Sequence, residues 1–451
     1  MGCRDTSSWR CATTGTATTS LKLQYPFFFF RSTISFCTNT TPTHSTSFSA
    51  SSSRRWYNPA RRLRFHRPPP EIVRHWVEAD PPLPYHQSQE TFMVVSYNIL
   101  GDRNASKHRD LYTYVPSIYM KWDRRRRIIC RELLGLDPDI ICLQEVDKYF
   151  DLLNVMENAG YSGSYKKRTG DAVDGCAMFW KADKFRLLEC ETIEFKGYNL
   201  RDNVAQLSVF EMSEAESRRF VVGNIHVLYN PSRGDVKLGQ IRSFSSKAHI
   251  LSEKWGSVPV VLAGDYNSTP QSAIYKFVWS SQLHIMSHDR KGLSGQRSCH
   301  PANIFGIKRE KEDLLFSFDR FFKSCWSDKE VKVATGDAGS PVVEHPLKLS
   351  SSYAKVKGYA RTRDFNGEPL ATSYHSKFIG TVDYLWHSDG LVPTRVLDTL
   401  PLDVLQKIGG LPCKELGSDH LALVSEFAFT CNEETADSTG EGALVSQDSL
   451  L

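Results

Sequence analysis

From Phe92 onward, short apolar runs alternate with amphipathic stretches. Runs rich in β-branched and aromatic residues and bounded by Gly, Pro, Asn or Asp read as buried strands; helical spacing of apolar positions reads as helix. The pattern predicts strands over Phe92–Tyr97, Ile140–Leu143, Cys176–Trp180, Arg186–Glu194, Ala205–Phe210, Phe220–Ile225, Val258–Ala263, Thr381–Trp386, Pro393–Asp398 and Leu421–Ala428. It predicts helices over Asp123–Leu134, with Ile128, Ile129, Leu133 and Leu134 on one side, and over Asp235–Trp255. Asp137-Pro138 ends the first of these. Arg124–Arg127 fall on its other side and read as a solvated face. Many strands with few helices, in mixed order, predict an α/β (α+β) architecture of two packed sheets flanked by helices.

Residues 1–70 are different. They are rich in Ser and Thr, carry scattered Arg and hold one acidic residue, Asp5. Two readings stand: an organelle transit peptide, directing the chain to mitochondrion or chloroplast, or an arm without an address. Met1-Gly2-Cys3-Arg4-Asp5-Thr6 also matches the loose N-myristoylation pattern, with Cys3 as a palmitoylation candidate. Residues 287–367 are less periodic and read as a variable insertion into a 90–430 catalytic domain, an excursion from its core. The polar, acidic 431–451 stretch reads as a disordered tail.

Composition changes this picture little. The 451 residues are 40% hydrophobic and 24% charged, with a formal net charge of +5. That suits an anionic substrate without requiring one. The 11 cysteines form no CxxC pair, and Cys142 and Cys176 fall inside apolar runs, as buried small hydrophobes do. No stretch approaches the ~20 apolar residues that span a bilayer. Neither a P-loop, a dinucleotide fingerprint, a zinc pattern nor a GxSxG elbow is present.

The candidate chemistry lies at the ends of the apolar runs: Ser96-Tyr97-Asn98, Gln144-Glu145, Asn224-Ile225-His226, Gly264-Asp265-Tyr266-Asn267, Thr381-Val382-Asp383-Tyr384 and Ser418-Asp419-His420. Strand ends hold side chains rigidly at a common rim. Hydrolysis of a phosphate ester needs charge neutralisation, an aimed and deprotonated water, and a stabilised leaving oxygen. Hard carboxylate ligands suit Mg²⁺, in one or two ions, with Glu145 and Asp419 as metal ligands. Asp265 is positioned to deprotonate the water and Asn267 to donate to the developing phosphorane oxygens. Asp383 is the carboxylate that would orient His420. Asn98 and His226 complete the ring of donors. Each motif also has a bland alternative: Glu145 as a surface strand-end residue, Asp265–Asn267 as a turn, Asn98 as a cap.

These strings resemble the exonuclease/endonuclease/phosphatase superfamily, and within it the carbon catabolite repressor deadenylase branch. The resemblance rests on Val95-Ser96-Tyr97-Asn98-Ile99-Leu100, Leu143-Gln144-Glu145-Val146, Asp174-Gly175-Cys176-Ala177-Met178-Phe179, Asn230-Pro231 followed by Asp235-Val236-Lys237, and Gly380-Thr381-Val382-Asp383-Tyr384. It implies a four-layer sandwich of two mixed β-sheets packed face to face with outer helices. It implies that Pro231 and Phe378 sandwich an adenine base, and that the reaction is Mg²⁺-dependent 3′-to-5′ shortening of mRNA poly(A) tails with release of 5′-AMP. RNA is the implied partner and cytoplasm and nucleus the implied compartments. The branch founders carry leucine-rich repeats that tie them to a deadenylase complex; none precede Phe92. Two other readings resemble less: a nocturnin-like phosphatase removing the 2′-phosphate of NADP(H), and an inactive RNA-binding partner.

Overall fold

The computed structural model describes residues 72–80, 91–307 and 326–430. The leader, the acidic tail and residues 308–325 of the less periodic stretch lie outside the described residues.

Two mixed sheets carry the architecture. The seven-stranded sheet runs in the order β1 (Trp76–Glu78), β16 (Leu391–Leu397), β17 (Leu423–Phe429), β2 (Thr91–Asn98), β3 (Ile140–Gln144), β5 (Gly175–Lys181) and β4 (Tyr161–Lys167). The six-stranded sheet runs β12 (Ser350–Ser351), β15 (Asp383–His387), β9 (Val260–Asp265), β8 (Ala215–His226), β7 (Val204–Met212) and β6 (Phe185–Glu194). Two small antiparallel pairs complete the described strands: β10 (Gln282–His284) with β11 (Val342–Glu344), and β13 (Ser373–His375) with β14 (Phe378–Gly380).

Each large sheet contains one parallel pair, β2 with β3 and β8 with β9. A parallel pair needs a crossover, and helices Trp122–Leu136 and Gly234–Lys254 supply the two. Because partners in such a pair point the same way, their C-terminal ends share one edge. Asn98 pairs with Gln144, and His226 with Asp265. Antiparallel β15 starts at that edge, with Asp383 opposite Asp265.

Between the sheets lies an aromatic core: Phe92 stacks on Phe220 with centroids 4.1 Å apart, and Phe210 and Phe427 pack around them. A second apolar cluster joins the six-stranded sheet to Gly234–Lys254, and a third joins the seven-stranded sheet to Trp122–Leu136 and Tyr149–Asn158. The order is helix, sheet, sheet, helix, the expected sandwich. Beneath the shared edge, the buried amides of Gln144 and Asn224 bond across the sheets at 2.9 Å, and the Asn224 amide also donates to the Leu143 and Ala177 carbonyls.

Three expectations are corrected. Arg125 is fully buried, not solvated. Its guanidinium donates to the Ile99, Leu100 and Gly417 carbonyls, so it braces the loops on either side of the site. The 287–367 stretch is not wholly an excursion: Ser350–Ser351 pairs with β15, and Tyr353 is buried with its hydroxyl on the Leu397 carbonyl. Its small polar residues hide this role from a hydropathy reading. Strand β17 begins at Leu423, so Ser418–His420 form a loop, which Ser373 pins by a bridge to His420.

Candidate active site

At the shared edge, Asp265 stands in the middle. Its Oδ1 accepts from the Asn267 amide N–H at 2.8 Å. Its Oδ2 accepts from the Asn98 amide at 3.1 Å and lies 3.5 Å from His226 Nε2. Asp383 Oδ2 accepts from His420 Nδ1 at 2.8 Å and from the Thr372 hydroxyl at 2.5 Å. That contact fixes the ring so that Nε2 is left for a substrate. The other Asp383 oxygen, Oδ1, is buried without a hydrogen-bond partner.

Glu145 and Asp419 come from the seven-stranded side. Glu145 Oε1 accepts from Asn98 at 3.3 Å; its Oε2 accepts from the Gly101 amide and from Asn104, at 3.1 and 2.9 Å. Asp419 Oδ2 accepts from the Tyr112 hydroxyl at 2.8 Å. Leu100, Glu145 and Asn267 have left-handed backbones, with φ of 55°, 57° and 47°. Such conformations cost about 1–3 kcal/mol each and gather at functional sites. Gly264, beside Asp265, allows a close approach: a Cβ there would lie 2.1 Å from the Ile225 carbonyl oxygen.

Burial and mutual repulsion set the charges. Burial raises the Asp265 carboxyl above its usual range, and the nearby Asp383 adds to this. Burial also raises Glu145, helped by Asp174 and Asp419. For His420 burial acts downward, but Asp383, Asp419 and Asp265 overcome it and hold the imidazolium well above the usual histidine range. His226 is lowered, chiefly by burial, and is the neutral partner.

Crowded carboxylates that resist ionisation call for a cation. Among the described residues, Asp265, Asp383 and His420 each offer a ligand atom within 4.8 Å of the others. His420 Nδ1 is already committed to Asp383. Glu145 and Asp419 fall outside that group; they line the same cavity and, with carboxylate lone pairs to spare, offer the hard donors that fit a divalent cation.

A cavity of about 430 Å³ opens over this ring, lined by Glu145, His226, Asp265, Asn267, Asp419 and His420. Asn98 and Asp383 sit behind the lining and act through their bonds to it. Phe378 lines the cavity; Pro231 does not, whereas Tyr229, 58% exposed, does. Sequence reasoning missed Asn104, Tyr112, Thr372 and Gln296, and gave no role to Lys237 beyond its place in a resembling string. Lys237 is fully buried, and burial lowers its ammonium to about 7. A lysine one helical turn after Arg233, inside a helix otherwise facing the core, was the available signal.

Residues 95–420 match the Endonuclease/Exonuclease/phosphatase family. The chain is 58% identical over 409 residues to carbon catabolite repressor protein 4 homolog 3 of Arabidopsis thaliana, covering 89% of this chain and 90% of that protein. It is 26% identical to the CCR4-Not complex 3'-5'-exoribonuclease subunit Ccr4 of Mycosarcoma maydis, across 82% of this chain and 56% of that one. Among solved structures, ANGEL2, a 2',3'-cyclic phosphatase, in complex with adenosine-2',3'-vanadate matches with a TM-score of 0.64 and 29% identity, over 80% of this chain and 99% of that one. The strand-end ring, the two-sheet frame and these similarities lead to one statement: the chain belongs to the endonuclease/exonuclease/phosphatase family, in its carbon catabolite repressor 4-like branch.

Proposed function

We propose that this protein is a Mg²⁺-dependent 3′-to-5′ exoribonuclease that shortens poly(A) tails and releases 5′-AMP. The observation that carries the reading is one cavity combining a hydrolytic ring with an aromatic wall, Phe378. Base stacking on such a ring contributes roughly 1–3 kcal/mol and orients the terminal nucleotide. Similarity to the exoribonuclease subunit Ccr4 supports the reaction type.

Glu145 and Asp419 are the residues that would hold Mg²⁺, which supplies charge neutralisation at the scissile phosphate. The remaining work falls to the chain's own groups. Asp265, with its raised proton affinity, accepts the proton of the attacking water. Asn98 and the Asn267 amide N–H hold Asp265 in place. His420, kept protonated by Asp383, donates from Nε2 to a phosphate oxygen, and neutral His226 steadies the same group. Asn267 offers an amide N–H to the phosphorane.

A second reading has specific support. ANGEL2 is bound to an adenosine-2',3'-vanadate in the structure that matches this chain, so opening of a 2′,3′-cyclic phosphate is the competing chemistry. Purified protein with Mg²⁺ is incubated separately with tailed RNA, RNA ending in a 2′,3′-cyclic phosphate, and NADPH. Tail shortening with AMP release is the expected result. Inorganic phosphate from NADPH, or cyclic-end opening without shortening, would overturn the exoribonuclease reading. Association with a deadenylase assembly, and residence in cytoplasm and nucleus, are proposed with it and are read by co-purification and by imaging of the tagged full chain.

A further inference from the structure

Asn267 can serve the phosphate only if its amide presents N–H, not C=O, to the cavity. Both of its polar atoms have protein partners. Nδ2 donates one hydrogen to the Val227 carbonyl at 3.0 Å, leaving the other free. Oδ1 accepts from Gln296 Nε2 at 3.1 Å. The orientation of Gln296 is itself dictated. Its Oε1 receives the Lys237 amine at 2.7 Å and the Ser294 hydroxyl at 3.1 Å. Charged Lys237 Nζ has only hydrogens to give, so the Gln296 carbonyl faces it and the Gln296 NH₂ faces Asn267, the same polarity that the Val227 carbonyl, an acceptor only, requires of Asn267 Nδ2. Lys237 also donates to the Asn267 carbonyl at 2.5 Å, which braces that residue's left-handed backbone. Either protonation state of the amine has the two hydrogens these contacts use.

The turn bearing Gln296 is built against the catalytic loop. Thr269 N donates to the Ser294 carbonyl at 2.9 Å, and Gly295, at φ 70°, packs so tightly that a Cβ would fall 2.1 Å from the Thr269 hydroxyl. We infer that Lys237 and Gln296 are positioning residues that, on the side of Asn267 opposite the Val227 carbonyl, lock its hydrogen-bond polarity, so that a segment expected to be variable helps hold the donor offered to the phosphate. This rests on the proposed reaction class, phosphate-ester hydrolysis, but not on the choice of substrate.

The test is a double-mutant cycle. Gln296→Glu keeps the shape and the Lys237 contact but has no hydrogen to give Asn267. We expect Q296E to lower kcat tenfold or more with KM within about twofold, N267A to do likewise, and Q296E to cause no further loss in the N267A background. K237M, which lets the Gln296 amide turn, should give a smaller kcat loss of the same kind. An unchanged kcat in Q296E, or losses that multiply in the double mutant, would overturn the inference. Rates are read on whichever of the three substrates above is turned over, so a failed poly(A) reading leaves this result interpretable.

Discussion

Replacing Asp383 with Asn tests the electrostatic heart of the site. The carboxylate holds His420 Nδ1 at 2.8 Å and is buried with it. Asn keeps the size and removes the charge. A buried hydrogen bond to a charged group is worth roughly 1.5–3 kcal/mol. If that stabilisation is needed only while the imidazolium meets the phosphate, kcat falls roughly 10- to 100-fold. The pH profile gives the sharper signature. In the native protein the carboxylates outweigh burial and keep His420 protonated above the usual range. Without Asp383, burial gains ground and the proton leaves at lower pH. The alkaline limb of kcat/KM should therefore move to lower pH, by about one unit for each 1.4 kcal/mol lost, while activity at pH 6 suffers least. Initial rates on a labelled oligoadenylate at fixed Mg²⁺, from pH 5 to 10, measure this. An alkaline limb that stays in place, with a melting curve like that of the native protein, would refute the pairing.

Three further outcomes are expected. Glu145→Gln removes one member of a repelling carboxylate set, so the metal-free protein should melt higher than native, and added Mg²⁺ should no longer raise the melting temperature; an undiminished Mg²⁺ shift would show that Glu145 is not a ligand. Phe378→Ala should weaken oligo(A) binding by roughly 1–3 kcal/mol of lost base stacking, read as a rise in KM, whereas Pro231→Ala should do less because Pro231 is outside the cavity lining; equal effects would contradict the geometry. Glu368 is fully buried and burial pushes its carboxyl up to about 7. The folded state thus holds this proton more tightly than the unfolded chain, and stability is lost as pH rises towards and through 7. Glu368→Gln should stabilise by roughly 3 kcal/mol at pH 8 and much less at pH 5, measured by denaturant unfolding; a gain independent of pH would mean the charge is not the cause.

Much of the frame was legible because central strands are apolar on both faces. Ile140–Leu143 and Cys176–Trp180 announce themselves; the first ends, and its antiparallel neighbour begins, at the edge where the chemistry lies. Edge strands do not: Tyr161–Lys167 is half-buried and polar, carries Gly163, and was missed. The ring residues were legible because their types are costly to bury without purpose. Their supports were not. Arg125 and Tyr112 act through contacts with chain segments about 290 and 307 positions away, a relation that local pattern does not encode. Gln296 sits in a stretch with no periodicity, and its meaning depends on which amide it meets. Pro231 was placed by resemblance alone, while Tyr229, which lines the cavity, carried no motif.

The Gln144–Asn224 amide pair spans the two sheets directly below a ring whose members hang from both. Asn98 and Glu145 ride on one slab; His226, Asp265 and Asp383 ride on the other. The pair therefore acts as a tie-rod, gauging the gap across which catalysis is assembled. Slippage of one slab over the other would detune turnover while leaving each slab's own ladder of hydrogen bonds whole. Agents that soften the aromatic filling between them, such as pressure or mild denaturant, should silence this protein before they visibly unfold it.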